Sequence, residues 1–265
     1  MTGDGPGPAR CTARLPDDGV CAGLFQAPEP GGFAAGDLTG LPEPVQRCLR
    51  AAIVPGTTLA QTARLRMRGH IKVRRWLPFH AEQTLSPHRG FHWRARVARV
   101  IAGSDRYVDG VGAMRWSLLG LPLVRAAGTD VTRSAAGRLA GETIWLPTAL
   151  LPRTGTRWTV QGPDQITVSH HIGATTTEVT YQLDAAGHIT ALAFDRWGDP
   201  DSTGTWGWHR FGGDLSGHRT LHGLTIPTTG RVGWHYGTTR WDAGEFFRFQ
   251  ITSLDPVVAA GFSTA

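Results

Sequence analysis

From Ala63 to Val73 apolar and polar side chains alternate without a break. Ala63, Leu65, Met67, Gly69, Ile71 and Val73 fall on one side, and Arg64, Arg66, Arg68, His70 and Lys72 on the other. A period of two sustained this long predicts a β-strand with one face on a core and one in water. Phe79 to Leu85 repeats the pattern, with Glu82 on the polar face, where it can pair across strands with the arginine row. Phe91, Trp93, Ala95, Val97 and Ile101 continue it, with Arg94 and Arg96 opposite. Further strands are predicted over Ile166 to Ile172, Thr175 to Leu183, His188 to Arg196, Thr205 to Phe211, Leu221 to Pro227, Arg231 to Tyr236 and Glu245 to Leu254. Short Gly- and Asp-bearing turns separate them, such as Asp184-Ala185-Ala186-Gly187, and sequential antiparallel pairing is the simplest topology.

Two segments switch to helical spacing. Leu41 to Ile53 places Pro44 in a first turn and Val45, Cys48, Leu49 and Ala52 on one face, and Pro55-Gly56 stops it. Asp130 to Leu151 sets Ala135, Leu139, Glu142, Leu146 and Ala149 on one stripe, with Thr132 or Ser134 available as a cap. Pro147 predicts a kink or a new turn there. Residues 1–40 carry nine Gly and five Pro and no sustained period, and read as an extended arm. The domain plan is therefore an arm over 1–40, a single β-rich ligand-pocket domain over 41–256 and a tail over 257–265.

About ten antiparallel strands with one apolar face and two helices predict a mainly β, α+β fold. A sheet of that size curls. The first expectation is a highly curved half-barrel wrapped around the long helix, and the second is a closed barrel. Either encloses a concave apolar pocket.

Composition narrows the partners. The chain has 265 residues, 40% hydrophobic and only 18% charged, with 35 Gly and 10 Trp, which excludes a coiled coil and a wholly disordered chain. The net charge of +6 raises nucleic acid as a partner. The arginines line strand faces rather than a tail or a basic helix, however, so that partner ranks last. Cys11, Cys21 and Cys48 are an odd set without metal spacing and suggest a reducing compartment. No secretory h-region and no run of about 18 apolar residues is present, so the expectation is a cytoplasmic protein with no membrane span.

The candidate chemistry sits on those apolar faces. Glu142 lies on the stripe of the long helix, where a carboxylate either stays protonated as a general acid or base or pairs with an arginine such as Arg138 or Arg196. Asp195 and Arg196 are consecutive on one strand, so one of them points to the pocket side. His171 and His235 are candidate acid/base partners. No metal site is expected, because His170 and His171 face opposite sides of a strand and no HExxH or facial-triad spacing occurs. Trp93, Trp145, Trp206, Trp208 and Trp234, with Tyr236, are candidates for lining the pocket, with core packing as the simpler role for Trp93, Trp145 and Trp234. Trp206 and Trp208 would face one way around Gly207. No nucleophile elbow, P-loop or dinucleotide fingerprint appears, and no cofactor is expected.

The segment Glu142-Thr143-Ile144-Trp145-Leu146-Pro147-Thr148-Ala149-Leu150-Leu151-Pro152 resembles that of a family of uncharacterised bacterial proteins known only as a domain of unknown function. The resemblance extends to Leu41-Pro42-Glu43-Pro44-Val45, Phe91-His92-Trp93, Asp105-Arg106-Tyr107 with Asp109-Gly110, Asp195-Arg196, and Gly223 with Pro227 and Trp234, over roughly residues 40 to 255. It implies no activity. Its strand count is similar to the half-barrel of lipoprotein-carrier proteins, which bind acyl chains in an apolar concavity. No export signal is read in this sequence, so a lipoprotein-shuttling role is not expected.

The reading that follows is a pocket protein for a hydrophobic small molecule, with cofactor-free acid/base rearrangement (cyclisation, isomerisation or dehydration) in bacterial specialised metabolism as its first form. A non-catalytic lipid or hydrophobic-ligand carrier is the alternative, and a basic nucleic-acid-binding module the second. The arginine-rich outer face would suit an acidic carrier protein.

Overall fold

The computed structural model describes residues 24–257. A two-stranded ribbon pairs β1 (Glu29–Gly32) with β2 (Thr58–Leu59). Between them lie a 3-10 turn, Ala35–Leu38, and α1 (Glu43–Ala52). Pro44 stands in the first turn of α1, and Val45, Cys48 and Leu49 are buried on its inner face, as the spacing predicts. Phe33 and Leu38 also belong to the core, so this stretch of the Gly/Pro-rich segment is packed on the body.

The first half of the main sheet is a meander of β3 (Ala63–Val73), β4 (Arg75–Ser86), β5 (Gly90–Val97), β6 (Ile101–Val108), β7 (Val111–Leu118) and β8 (Leu121–Ala127). Helix α2 (Thr129–Glu142) follows, with 3-10 turns at Thr143–Trp145, Pro147–Leu150 and Pro152–Thr154. The second half is β9 (Arg157–Gly162), β10 (Gln165–Ile172), β11 (Thr175–Leu183), β12 (Ile189–Gly198), β13 (Gly207–Leu221), β14 (Leu224–Trp234) and, after the short helix α3 (Trp241–Gly244), β15 (Glu245–Pro256). The strand order is β8-β7-β6-β5-β4-β3-β15-β14-β13-β12-β11-β10-β9. Two sequential meanders are thus joined by the β3–β15 pairing, where Ile71 lies opposite Phe247 and Leu65 opposite Leu254.

The sheet is open: β8 and β9 are its two free ends, so the half-barrel holds and the closed barrel does not. The curl is visible in what α2 touches. It packs on β12 and on β7, strands far apart in the order, and only a sheet bent around the helix brings both within reach. The buried side of α2 is small, with Ala135, Ala136, Ala140 and Gly141 around Leu139. That lets the helix sit close to the sheet without overfilling the concavity.

The sheet has thirteen strands rather than about ten. β6 to β9 carry no clear alternation. Seven of the eight residues of β6 are neither fully buried nor fully exposed, and β8 is exposed almost throughout, so no side is marked out as core. The expected strands Leu221 to Pro227 and Arg231 to Tyr236 merge into one, β14 (Leu224–Trp234), and Leu221 instead ends β13. The long helix also ends earlier than its stripe suggests. It stops at Glu142, and Pro147 opens a separate 3-10 turn after Leu146 leaves helical geometry. Neither expected cap is used. Gly128 precedes the helix at φ 110, and the Thr132 hydroxyl instead accepts a hydrogen bond from the Gly112 amide of β7, at 3.0 Å. Glu82 does lie between Arg66 (3.3 Å) and Arg94 (3.6 Å) on the outer face.

Candidate functional site

The concave face and α2 enclose a cavity of about 370 Å³, within the ordinary range for small-molecule sites of about 300–1,000 Å³. Its wall is mostly aromatic and aliphatic: Ile71, Trp93, Met114, Trp116, Ile144, Trp145, Leu192, Phe194, Trp206, Phe211, Trp234, Phe246, Phe247 and Phe249 all contribute. The rings interlock. Trp93 sits edge-on to Phe79 and Phe247 and tilted against Trp116, and Trp145 meets Phe249 edge-on at 5.3 Å. Two of the tryptophans need glycine opposite them. A Cβ on Gly103 would fall 2.2 Å from the Trp116 ring, and one on Gly198 would fall 2.2 Å from Trp234. A side chain at either position would push a ring into the cavity.

Few polar groups break this wall; besides Ser134 and Asp199, whose carboxylate accepts from the Thr203 and Gly204 amides, they form two unlike sets. The first is an ion cluster. Arg138 donates from Nε to Glu142 Oε1 at 2.7 Å and from Nη1 to Asp105 Oδ2 at 3.0 Å. Gln83 donates to the other Glu142 oxygen at 2.6 Å, and the Trp116 indole donates to Asp105 at 3.1 Å. The Arg138 guanidinium also lies 4.5 Å over the Phe91 ring and 5.0 Å over Trp93. Burial raises the Asp105 carboxyl above its ordinary range, and Arg138 opposes that shift. The i,i+4 spacing on α2 brings Glu142 onto Arg138. Of the two fates open to that carboxylate, the structure has the arginine pair.

The second set is Arg196 alone. It follows Phe194 on the inward face of β12. Its Nε donates to the Ser134 carbonyl at 3.2 Å, and its guanidinium lies 4.8 Å from the Phe211 ring centre and 5.3 Å from that of Trp234. No carboxylate among the described residues lies within ion-pair distance of it. Burial, reinforced by the like charge of Arg138, pushes its pKa down to about 10, against the pull of Glu142 and Asp105. The group stays charged at neutral pH.

The cavity thus brings together Glu142, Arg196, Trp93, Trp145, Trp206 and Trp234. The other candidates lie elsewhere. Asp195 faces outward and is exposed, opposite Arg210 of β13. His171 is exposed and meets Thr176 at 3.1 Å. His235 sits at φ 60 in the turn after β14, its pKa lowered by burial and by Arg240. Tyr236 donates to Asp214 at 2.5 Å, with its pKa pushed up to about 12 by burial and that contact. Trp208 is exposed and packs edge-on against Trp197. It does not share a wall with Trp206, because Trp206 belongs to the loop before β13 and strand alternation does not extend to it. Of the three cysteines, Cys48 is a buried thiol with its pKa raised to about 12 by burial, while Cys11 and Cys21 lie outside the described residues.

Asp105 and the Phe246-Phe247-Phe249 run were not singled out as site residues from the sequence. Their signal lay in Asp105-Arg106-Tyr107 and in an aromatic-rich strand start, but only the β3–β15 pairing turns Phe247 towards Trp93. Among the described residues, no group of three or more His, Cys, Asp or Glu side chains could hold a metal ion, and no helix is long and apolar enough to cross a membrane.

Residues 31–246 match a family described as "Family of unknown function (DUF6544)", in agreement with the resemblance carried by the Glu142–Pro152 segment. Two solved structures are similar in fold. One is a LolA superfamily protein from Nitrosomonas europaea, at 6% identity and TM-score 0.43, covering 82% of this chain and 93% of that one. The other is described as a "putative outer membrane lipoprotein-sorting protein domain" from Vibrio parahaemolyticus, at 9% identity and TM-score 0.41, covering 75% of this chain and 86% of that one. Among curated proteins none matches.

Proposed function

The chain belongs to the DUF6544 family of unknown function, and we propose that it is a carrier that holds an apolar small molecule with an anionic end. The apolar body fills the aromatic cavity, and Arg196 receives the anionic group. The observation that carries this reading is the state of Arg196: a half-buried guanidinium in an aromatic wall, with a single backbone acceptor and no carboxylate partner among the described residues. A buried charge without a counter-ion is costly. A ligand carboxylate or phosphate, bound through the planar fork, offsets that cost and fixes the orientation of the chain behind it.

The test is titration of the purified protein with oleate and with oleyl alcohol, followed by tryptophan fluorescence. Oleate binds the wild type more tightly than the alcohol, by about tenfold or more. Arg196→Met removes the preference and keeps binding of the alcohol. If the wild type binds neither probe, or does not distinguish them, the reading is wrong.

The second reading is acid/base catalysis of a cofactor-free rearrangement, with Glu142 as the working group. It is supported by the place of Glu142 on the cavity wall. A free acid or base must be able to exchange its proton with substrate, whereas both oxygens of Glu142 are engaged, by Arg138 and by Gln83. That engagement favours the carrier. An acidic carrier protein on the arginine row and a cytoplasmic location stay as proposals attached to the catalytic reading.

A further inference from the structure

Among the described residues, the β7–β8 hairpin gathers most of the exposed large apolar side chains. Its turn, Leu119-Gly120, has both residues at positive φ (51 and 86), the conformation of a tight two-residue hairpin. It lifts Leu118 and Leu121 to the tip as a facing pair. Leu119 is 76% exposed, Leu121 73% and Leu123 59%, and Val124 is also exposed. Leucines collected at a protruding turn bury nothing in this chain, and such apolar patches mark contact sites.

The hairpin has a definite charge and a definite place. Between Asp109 and Asp130 there is no acidic residue, and the two charged residues are Arg115 and Arg125. These face each other across the strands, three and four positions behind the tip pair, and both are exposed. The Leu119 amide donates to the Val100 carbonyl at 2.9 Å, so the neighbouring β5–β6 turn, with exposed Arg99 and Val100, stands beside the tip. By register, the β3–β4 turn with exposed Arg74 and Arg75 lies at this same end of the sheet. Gly198, which faces Gly207 across β12 and β13, and Trp234, which ends β14, lie at this end as well, and both line the cavity. The first and last described residues pack at the other end, where the Thr62 hydroxyl donates to the Leu24 carbonyl and the Val257 amide donates to the Thr62 carbonyl.

We propose that this end of the half-barrel docks on an anionic lipid bilayer, with Leu118, Leu119 and Leu121 entering the acyl region and Arg99, Arg115 and Arg125 meeting lipid phosphates. An apolar tip, a basic collar and no acidic residue on the hairpin itself are the depth profile of a monotopic contact, and Asp201, at the same end beyond Gly198, is paired with Arg240. A protein partner fits less well. Pro122 and a bulge at Trp116/Ser117 interrupt the edge that another strand would extend, and the tip lacks the aromatic anchors common in protein interfaces. Docking in this orientation turns the cavity wall at Trp234 and Gly198 towards the bilayer, the source of an apolar ligand.

The experiment is co-sedimentation of the full chain with vesicles of phosphatidylcholine alone and of phosphatidylcholine with an equal amount of phosphatidylglycerol. The wild type partitions onto the anionic vesicles, and the partition weakens as salt is raised towards 1 M, where the Debye length falls to about 3 Å. The double variant Leu119→Glu/Leu121→Glu loses about tenfold or more of that partition. Its circular dichroism and oleate affinity do not change, because both positions are exposed and outside the cavity. A second variant, Arg115→Gln/Arg125→Gln, lowers anionic partition without raising binding to neutral vesicles. The proposal is overturned if the wild type ignores anionic vesicles, if it binds both vesicle types equally, or if the leucine variant binds as the wild type does. Self-association of the wild type that the leucine variant abolishes, without vesicle binding, overturns it in favour of a second copy of the chain.

Discussion

Two arginines share one cavity, each against two aromatic rings, and they differ in their counter-ions. Arg138 is held by two carboxylates and lies over two aromatic rings. Arg196 has one backbone carbonyl and two rings. The first is a finished structural element, in which helix, sheet and side chains satisfy one another. The second is satisfied only in part, and a ligand can complete it. Charge in a pocket is therefore not by itself evidence of function. What separates structure from function is whether the fold already supplies the counter-ion.

Removing each charge tests the comparison most sharply. Arg138→Met leaves Asp105 and Glu142 close together without their cation, and unfolding by heat or urea registers a loss of about 3 kcal/mol or more. Arg196→Met removes a charge that had no counter-ion, so stability stays within about 1 kcal/mol of wild type while preference for the anionic probe is lost. Equal destabilisation by the two variants would erase the distinction.

Acid sharpens it further. The Asp105 carboxyl has its pKa raised above 3.8 in the fold. Between 3.8 and that raised value the folded chain binds more protons than the unfolded one, so stability from this group rises as pH falls through the window. Wild type therefore gains on Asp105→Asn as pH is lowered, in paired urea melts; a constant difference would mean that Asp105 is not perturbed. Glu142→Gln leaves Arg138 paired with Asp105 and costs about 1 kcal/mol, with oleate binding unchanged. Under the catalytic reading the same variant abolishes turnover, so any substrate found for the protein decides between the two. The smallest effect is expected at Asp195→Asn, on the outer face directly beside Arg196, which leaves probe affinity and melting temperature as they are.

Much of the sheet was legible where one face is core and the other is water. The Ala63–Val73 alternation survives as buried Ala63, Leu65 and Met67 against exposed Arg64, Arg66 and Arg68. It faded at β6 to β9, since edge strands and partly covered strands are under no pressure to alternate. Glu142 and Trp93 were legible as inward residues from their period, and Trp145 and Trp234 as large aromatics fitting core positions. The pairing of Asp195 with Arg196 was legible only as a choice between faces, and β12 turns Arg196 inward. Asp105 was hidden, because its partner Arg138 is 33 positions away in the chain and meets it only when α2 crosses the sheet.

Local periodicity determined the strands that bury one face, the two longer helices and the supply of aromatic side chains for a concave wall, because alternation and helical stripes are properties of a few consecutive residues. The tertiary structure alone decided how the two meanders join at β3 and β15, and so which rings share the cavity. It also decided which arginine was given counter-ions. The Arg138–Glu142 pair is local, set by the i,i+4 spacing of α2, but Asp105 and Arg196 reach the same cavity only through the bend of the whole sheet around α2, and no local pattern encodes that bend.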